Sequence, residues 1–460
     1  MSERELLLRT AALAADYLES LDDRTVFPTA SAAELREVLA GPLPTGPTPA
    51  LDVVERLARE ADRGLVASQG GRYFGFVTGS SLAAALASDW LTSTWDQNLA
   101  FAVMSPAAAV VEETAGRWVA ELLGIPESAT FAFVTGTQMA HVTCLAAARH
   151  HVLARAGWDH DAAGLAGAPP IAVVVGEQRH VTVDRALRFL GIGRSQIAAV
   201  ESDEQGRMRP DGLAAMLERL EGPVIVCAQA GEVNTGASDP FEAIVGRAHE
   251  AGAWVHVDGA FGLWAAASPR YRHLVTGHGA ADSWSVDAHK WLNVPYDCGV
   301  AFCAHPESHR TAMTMKAAYL EDSPAEALRD AADWTPDSSR RARSIPVYAA
   351  IRELGSDGIA DLVDRCCELA RELASGLDRL PGAEILNDVV LNQVLVGFAD
   401  DDMTSFVLGA LQGGGEAWMG GTTWAGRPAI RVSVSGWRTT SEDIARTVDA
   451  FERAVAAAAV

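Results

Sequence analysis

The chain has 460 residues, more than one hydrophobic core ordinarily holds, so at least two domains are expected. Its 49% hydrophobic and 21% charged residues read as a globular protein, and 37 Lys+Arg against 60 Asp+Glu leave a net charge of −23, which argues against nucleic acid as a partner. No apolar run reaches the roughly 18 residues that a membrane span needs.

The opening residues Met1-Ser2-Glu3-Arg4-Glu5 carry acids where a signal peptide carries bases, so a cytoplasmic protein is expected. The six cysteines form no C-x-x-C pair and read as reduced thiols, with Cys366-Cys367 as packing residues in a helix. No metal is expected.

Residues 1–104 read as an N-terminal helical arm. Leu6, Leu7, Leu8, Ala11, Ala12, Leu13, Tyr17 and Leu18 form one helical face, the run Gly41 to Pro47 breaks the chain, and a second helix spans about 50–64. Such an arm buries little surface alone, which suggests packing on a partner subunit.

Residues 105–310 alternate short apolar runs with helical stretches. Strands are predicted at 130–134, 171–175, 197–200, 223–228, 254–257, 283–286 and 299–302. Helices are predicted at 139–156, 183–190, 210–220 and 241–251. This alternation predicts an α/β domain with a mainly parallel sheet covered on both faces. Residues 311–460 read as a smaller α+β domain, with a long helix at about 358–380, strands near 383–386, 394–398 and 429–433, and a last helix from about Ser441.

Ligands of open α/β sheets bind at the carboxyl ends of the strands, and four polar clusters fall there. Thr135-Gly136-Thr137-Gln138 opens a helix, and is either an anion-binding terminus or an ordinary turn. His180 follows a strand and either stacks on a flat ligand or caps a helix. Asp258, in His256-Val257-Asp258-Gly259-Ala260, either meets a cationic ring nitrogen or caps the next segment. Lys290 sits beside Trp291 and Leu292 in an apolar setting that disfavours a solvated surface lysine; a desolvated lysine can form a Schiff base.

Ser285-Val286-Asp287-Ala288-His289-Lys290-Trp291-Leu292 resembles the cofactor-lysine motif of the group II decarboxylases of amino acids, which depend on pyridoxal 5′-phosphate (PLP). The resemblance extends to Arg72 to Phe76, Ser105-Pro106, Gly124-Ile125-Pro126, His256-Val257-Asp258 and Ser339-Arg340-Arg341, in the same order. It implies PLP fold type I, with a seven-stranded-type sheet, and a homodimer with shared active sites. It also implies roles. Lys290 would hold PLP as an aldimine, Asp258 would keep the pyridine nitrogen protonated, and Ala260 and His180 would take the two ring faces. Gly136, Thr137 and Gln138 would hold the phosphate, with Asp287 and His289 nearby and Thr235 near the ring. Lys290, His180 and Asp258 would be the catalytic residues. Arg431 matches an arginine of the family's last strand, and either holds a substrate carboxylate or is structural. Tyr73 and Phe74 hint at an apolar or aromatic substrate pocket, as do Trp95 and Trp264.

The implied reaction is decarboxylation of an L-amino acid through a quinonoid carbanion that a general acid protonates. The family usually carries a loop tyrosine as that acid. Here the loop, about 321–337, has none: Ala331 stands at the expected place and Tyr319 precedes it. Oxidative deamination to an aldehyde, or C–C cleavage, is therefore the alternative outcome. The phosphate loop departs as well, with Thr137-Gln138-Met139 for the usual Gly-Ser-Glu and His141 for a usual Asn.

Overall fold

The structure is a computed structural model that describes residues 1–314 and 328–458. Tyr319 and residues 321–327 of the loop named above lie outside the described residues. The larger sheet has seven strands: β1 (Thr130–Val134), β2 (Ala172–Gly176), β3 (Ile197–Val200), β4 (Val224–Gln229), β5 (Trp254–Asp258), β6 (Ser283–Asp287) and β7 (Gly299–Cys303). Their order is β1-β7-β6-β5-β4-β2-β3. Strands β2 to β6 run parallel to one another, and β7 lies antiparallel to both β6 and β1.

The apolar runs dictate this burial. In β2, Val174 joins one hydrophobic core while Val173 and Val175 join another; in β4, Val226 and Ile225 divide the same way. Alternate side chains thus feed the two faces of a sheet covered on both sides. The helices Thr137–Arg155, Val181–Phe189 and Phe241–Glu250 make that cover. Two of them begin two residues before their predicted starts, at Thr137 and Val181, so the polar loops at 135–138 and 180 run directly into helix N-termini.

The smaller sheet is antiparallel, in the order β10-β11-β9-β8, from β8 (Ala383–Ile385), β9 (Gln393–Phe398), β10 (Gly420–Trp424) and β11 (Arg427–Ser433). Sequence reading misses β10, whose Gly-Gly-Thr-Thr-Trp is poor in apolar strand formers; its ladder to β11 imposes the extended state. The long helix spans Ser344–Leu377 rather than starting near 358, because it is two helices joined where Gly355 takes φ 63°. Helices Ala83–Trp95 and Pro106–Leu122 are also missed; both are rich in alanine and pack against that long helix.

Among the described residues no helix is long and apolar enough to cross a membrane. The three N-terminal helices, Glu3–Glu19, Ala32–Leu39 and Ala50–Ala61, bury no residue completely.

The segment before the long helix is tied down by a buried ion pair. Arg340 Nη1 lies 2.9 Å from Glu112 Oε1, with side chains 0% and 4% exposed. The same guanidinium donates to the carbonyls of Leu99 and Phe133. Removing one partner strands a buried charge. Glu112→Ala is therefore expected to cost roughly 3 to 5 kcal/mol, and Glu112→Gln less, since the amide oxygen still accepts. Urea denaturation checks this; an unchanged midpoint for the alanine variant would contradict the role given to the pair.

Candidate active site

The carboxyl ends of β4, β5 and β6 and the N-terminus of helix Thr137–Arg155 enclose a cavity of about 410 Å³. Lys290, three residues beyond β6, reaches into it. Its Nζ lies 3.0 Å from Asp287 Oδ2 and its side chain is 21% exposed, so it is shielded yet accessible. Asp287, the last residue of β6, is buried and also accepts the Thr137 N–H at 2.6 Å. Burial alone would raise the Asp287 pKa; Lys290 and His289 outweigh it and hold the carboxyl below the ordinary range.

His289 has a defined tautomer. Its Nδ1 accepts the Cys298 N–H at 3.0 Å, so Nε2 carries the proton, 3.5 Å from Asp287 Oδ1. Tyr296 packs against the ring, with centroids 4.4 Å apart. Burial lowers the His289 pKa.

Asp258 ends β5 at the cavity wall. Its Oδ1 accepts the Ala260 N–H at 3.1 Å, and Oδ2 lies 3.4 Å from His141 Nε2. Burial again pushes the carboxyl up, but His141, then His180 and Lys290, prevail and keep it well below the usual range.

Of the two tasks that its sequence context leaves open for His180, the structure shows the helix cap, and it places the side chain at the cavity. That side chain caps helix Val181–Phe189, with Nδ1 2.7 Å from the Thr182 hydroxyl. Burial lowers its pKa, so the ring is neutral at neutral pH.

Arg431, on β11, lines the cavity opposite. Among the described residues it makes no ion pair, and its Nε is buried without a hydrogen-bond partner. Its pKa is lowered by that burial.

Three expectations place differently. Phe74 is wholly buried in the core, and Tyr73 stacks on Trp418 with centroids 5.3 Å apart; the cavity is walled instead by Phe76 and Val77. Thr235 does not line the cavity. It is fully buried, donates to the Gln205 carbonyl at 2.7 Å, and gives its N–H to Glu232. Trp264 is a core residue that donates to the Asp287 carbonyl, and Trp95 sits away from the cavity, half exposed. Sequence reasoning missed Val233, Phe261, Phe76 and Val77 on the wall, and His141 behind Asp258.

The residues present fit PLP. Thr137 Oγ1 is buried at the helix N-terminus without a partner, as an oxygen awaiting a phosphate would be. Thr137 gives its own amide to Asp287, and among the described residues its hydroxyl is left for a ligand. A side chain at Gly136 would put Cβ 3.0 Å from the His289 ring, so glycine keeps the cradle open. Small Ala260 and the flat imidazole of His180 line the same space.

Residues 33–399 match the pyridoxal-dependent decarboxylase conserved domain. An aromatic-L-amino-acid decarboxylase of Bacillus atrophaeus is 26% identical over 87% of this chain and 83% of its own length. A phenylacetaldehyde synthase of Arabidopsis thaliana is 25% identical over 91% of this chain and 89% of its own. The crystal structure of Oryza sativa TDC with PLP and tryptamine superposes with a TM-score of 0.92 at 23% identity, over 99% of this chain and 98% of that one. The chain thus belongs to the pyridoxal-dependent decarboxylase family, and is an enzyme whose cofactor is pyridoxal 5′-phosphate.

Proposed function

We propose that this enzyme removes the α-carboxylate of an L-amino acid with a large apolar or aromatic side chain. The observation that carries the reading is one cavity holding Lys290 paired with Asp287, a buried ionised Asp258, and the unpaired Arg431. The wall residues Phe76, Val77 and Phe261 favour an apolar side chain, and the matched aromatic-amino-acid decarboxylase agrees.

Lys290 supplies the amine that holds the cofactor's aldehyde carbon. Gly136, Thr137 and Gln138 hold the phosphate, with His289 beside them. Ala260 and His180 bound the ring, and Asp258 faces its nitrogen. When bound, PLP supplies an electron-withdrawing ring that takes up the electron pair left at Cα as CO₂ departs.

Asp258 stabilises the positive ring nitrogen with a charge fixed before reaction begins, so no reorganisation is needed at the moment of need. Arg431 takes the substrate carboxylate and sets the orientation of the bond that breaks. Phe76, Val77 and Phe261 exclude water, which strengthens both electrostatic effects. His289 does not supply the proton that Cα then requires in this tautomer: with Nδ1 accepting the Cys298 N–H, loss of the Nε2 proton would leave an imidazolate anion.

One observation favours a second reading, an oxidative one. Ala331 stands where a loop tyrosine is expected and is buried, and the next residue donates its N–H to the Ala100 carbonyl at 2.9 Å. Without a rapid acid, O₂ can take the electron pair: amino acid, O₂ and water would give aldehyde, CO₂, ammonia and hydrogen peroxide. The matched phenylacetaldehyde synthase supports this alternative.

A homodimer accounts for the apolar surface of the first hundred residues. Leu7, Leu8, Val53, Leu57, Trp90 and Trp95 are all exposed, more than isolated surface residues require. The six buried, unpaired cysteines agree with a reducing, cytoplasmic setting.

A panel of L-amino acids, assayed together for CO₂, amine, peroxide and ammonia, tests the reaction. CO₂ matched by a stable amine, without peroxide, is expected; peroxide and ammonia equal to CO₂ would replace this reading with the oxidative one. Lys290→Ala is expected to lose the visible absorbance of the lysine-bound cofactor and all turnover; an unaltered spectrum would refute its assignment. Arg431→Leu is expected to raise KM by roughly tenfold to a hundredfold, the worth of a charged hydrogen bond, with a smaller effect on kcat. An unchanged KM would make Arg431 structural.

A further inference from the structure

We infer that His141 is a positioning residue that holds Asp258 in its ionised form, in the one tautomer set by a hydrogen-bond chain running back to Trp254. This rests on the reading of Asp258 as the partner of the cofactor's ring nitrogen.

His141 lies one turn into helix Thr137–Arg155 and is completely buried. Its Nε2 has no hydrogen bond by strict geometry, yet it stands 3.4 Å from Asp258 Oδ2. Its Nδ1 lies 2.8 Å from His256 Nε2 and 3.2 Å from the Ser285 hydroxyl, which can also donate to it. His256 Nδ1 in turn lies 2.9 Å from Ser283 Oγ, which accepts the Trp254 indole N–H at 2.9 Å.

The direction of this chain follows from its carboxylate end, and the Trp254 end is compatible with it. An indole nitrogen only donates, and an ionised carboxylate only accepts. With Ser283 receiving from Trp254, its own hydroxyl proton is free to go to His256 Nδ1. His256 then carries its proton on Nε2 and donates to His141 Nδ1. His141 must therefore carry its proton on Nε2, aimed at Asp258. The opposite tautomers would set a nitrogen lone pair against a buried carboxylate. Burial and the neighbouring His141 push the His256 pKa down to about 3, so this link stays neutral.

Among the described residues Asp258 otherwise receives the Ala260 N–H, with His180 and Lys290 as further cationic or titratable groups near it. A buried carboxylate that loses a donor becomes more basic. Its basicity then competes with the ring nitrogen for the shared proton. Losing His141 moves that proton toward Asp258, removes positive charge from the ring, and slows every step that places electrons there.

The test is nitrogen NMR of holoenzyme reconstituted with cofactor labelled at the ring nitrogen, alongside kcat and KM. In the parent the signal is expected at the protonated position. In His141→Leu it is expected to move toward the unprotonated position, with kcat down on the order of tenfold and KM little altered. His141→Gln, which keeps an N–H donor, is expected to restore most of the signal. Where the leucine variant fails to fold, Ser283→Ala carries the test through a smaller shift of the same sign. An unmoved signal in His141→Leu, or in Ser283→Ala as its substitute, overturns the inference. Asp258→Ala separates the two levels: if it moves the signal and His141→Leu does not, only the role of His141 falls. If neither moves it, the reading of Asp258 falls as well.

Discussion

A carboxylate taken out of water picks up a proton unless a donor or a cation stands close by. The active site of this enzyme needs two buried carboxylates to stay ionised within one cavity, and the surrounding structure is arranged around that requirement. Asp258 and Asp287 end the neighbouring strands β5 and β6, and each is given its own partners. Asp287 takes Lys290 and the Thr137 amide, whereas Asp258 takes His141 and the Ala260 amide. Separate partners let one carboxylate hold the Lys290 amine while the other keeps its own charge at the cavity wall.

Helix Thr137–Arg155 serves both carboxylates at once. Its first residue meets Asp287 through the backbone, and His141, four residues later and so about one turn along, meets Asp258 through its side chain. The helix start is fixed by close approach. A side chain at Gly299 on β7 would lie 2.6 Å from the Gly136 backbone, so glycine there lets the two segments meet. The parallel register of β4, β5 and β6 then aligns Gln229, Asp258 and Ser285, which brings residues distant in sequence to one sheet edge.

Much of this was legible in the sequence, because it follows from where strands end. Lys290, Asp258, His180 and the 136–138 loop all stand at the carboxyl ends of apolar runs, and all line the cavity. The misplaced residues have local causes. Phe76 and Val77 both take φ 56°, and a left-handed turn at a β-branched residue has no sequence signal. That turn puts these two side chains on the cavity wall, where Tyr73 and Phe74 were expected. Thr235 is turned away because its loop closes around Glu232, whose carboxylate collects the amides of Asn234 and Thr235. His141 read as a departure from the family pattern, and only the crossing of its helix behind β5 gives that departure a meaning.

Similarity along the whole chain does not separate the two chemistries, since a decarboxylase and an aldehyde synthase match it at 26% and 25% identity. The division must lie where proton delivery is decided. On the reading proposed above, Asp258 serves the withdrawal of the electron pair, which both outcomes share. Returning a proton to Cα requires an acid within reach, and of the segment where the family keeps one, the described residues 328–337 are fastened as structure. Ala331 and Ala332 are buried, His309 bonds the Trp334 carbonyl at 2.9 Å, and the Arg329 guanidinium lies 4.7 Å from the Trp334 ring centre. Residues 329–334, held by these contacts, are suited to shaping the site. Proton delivery is thus the step at which the two chemistries part, and His289 is not the donor in the tautomer that the Cys298 amide sets, since a neutral imidazole that gives up its Nε2 proton becomes an anion.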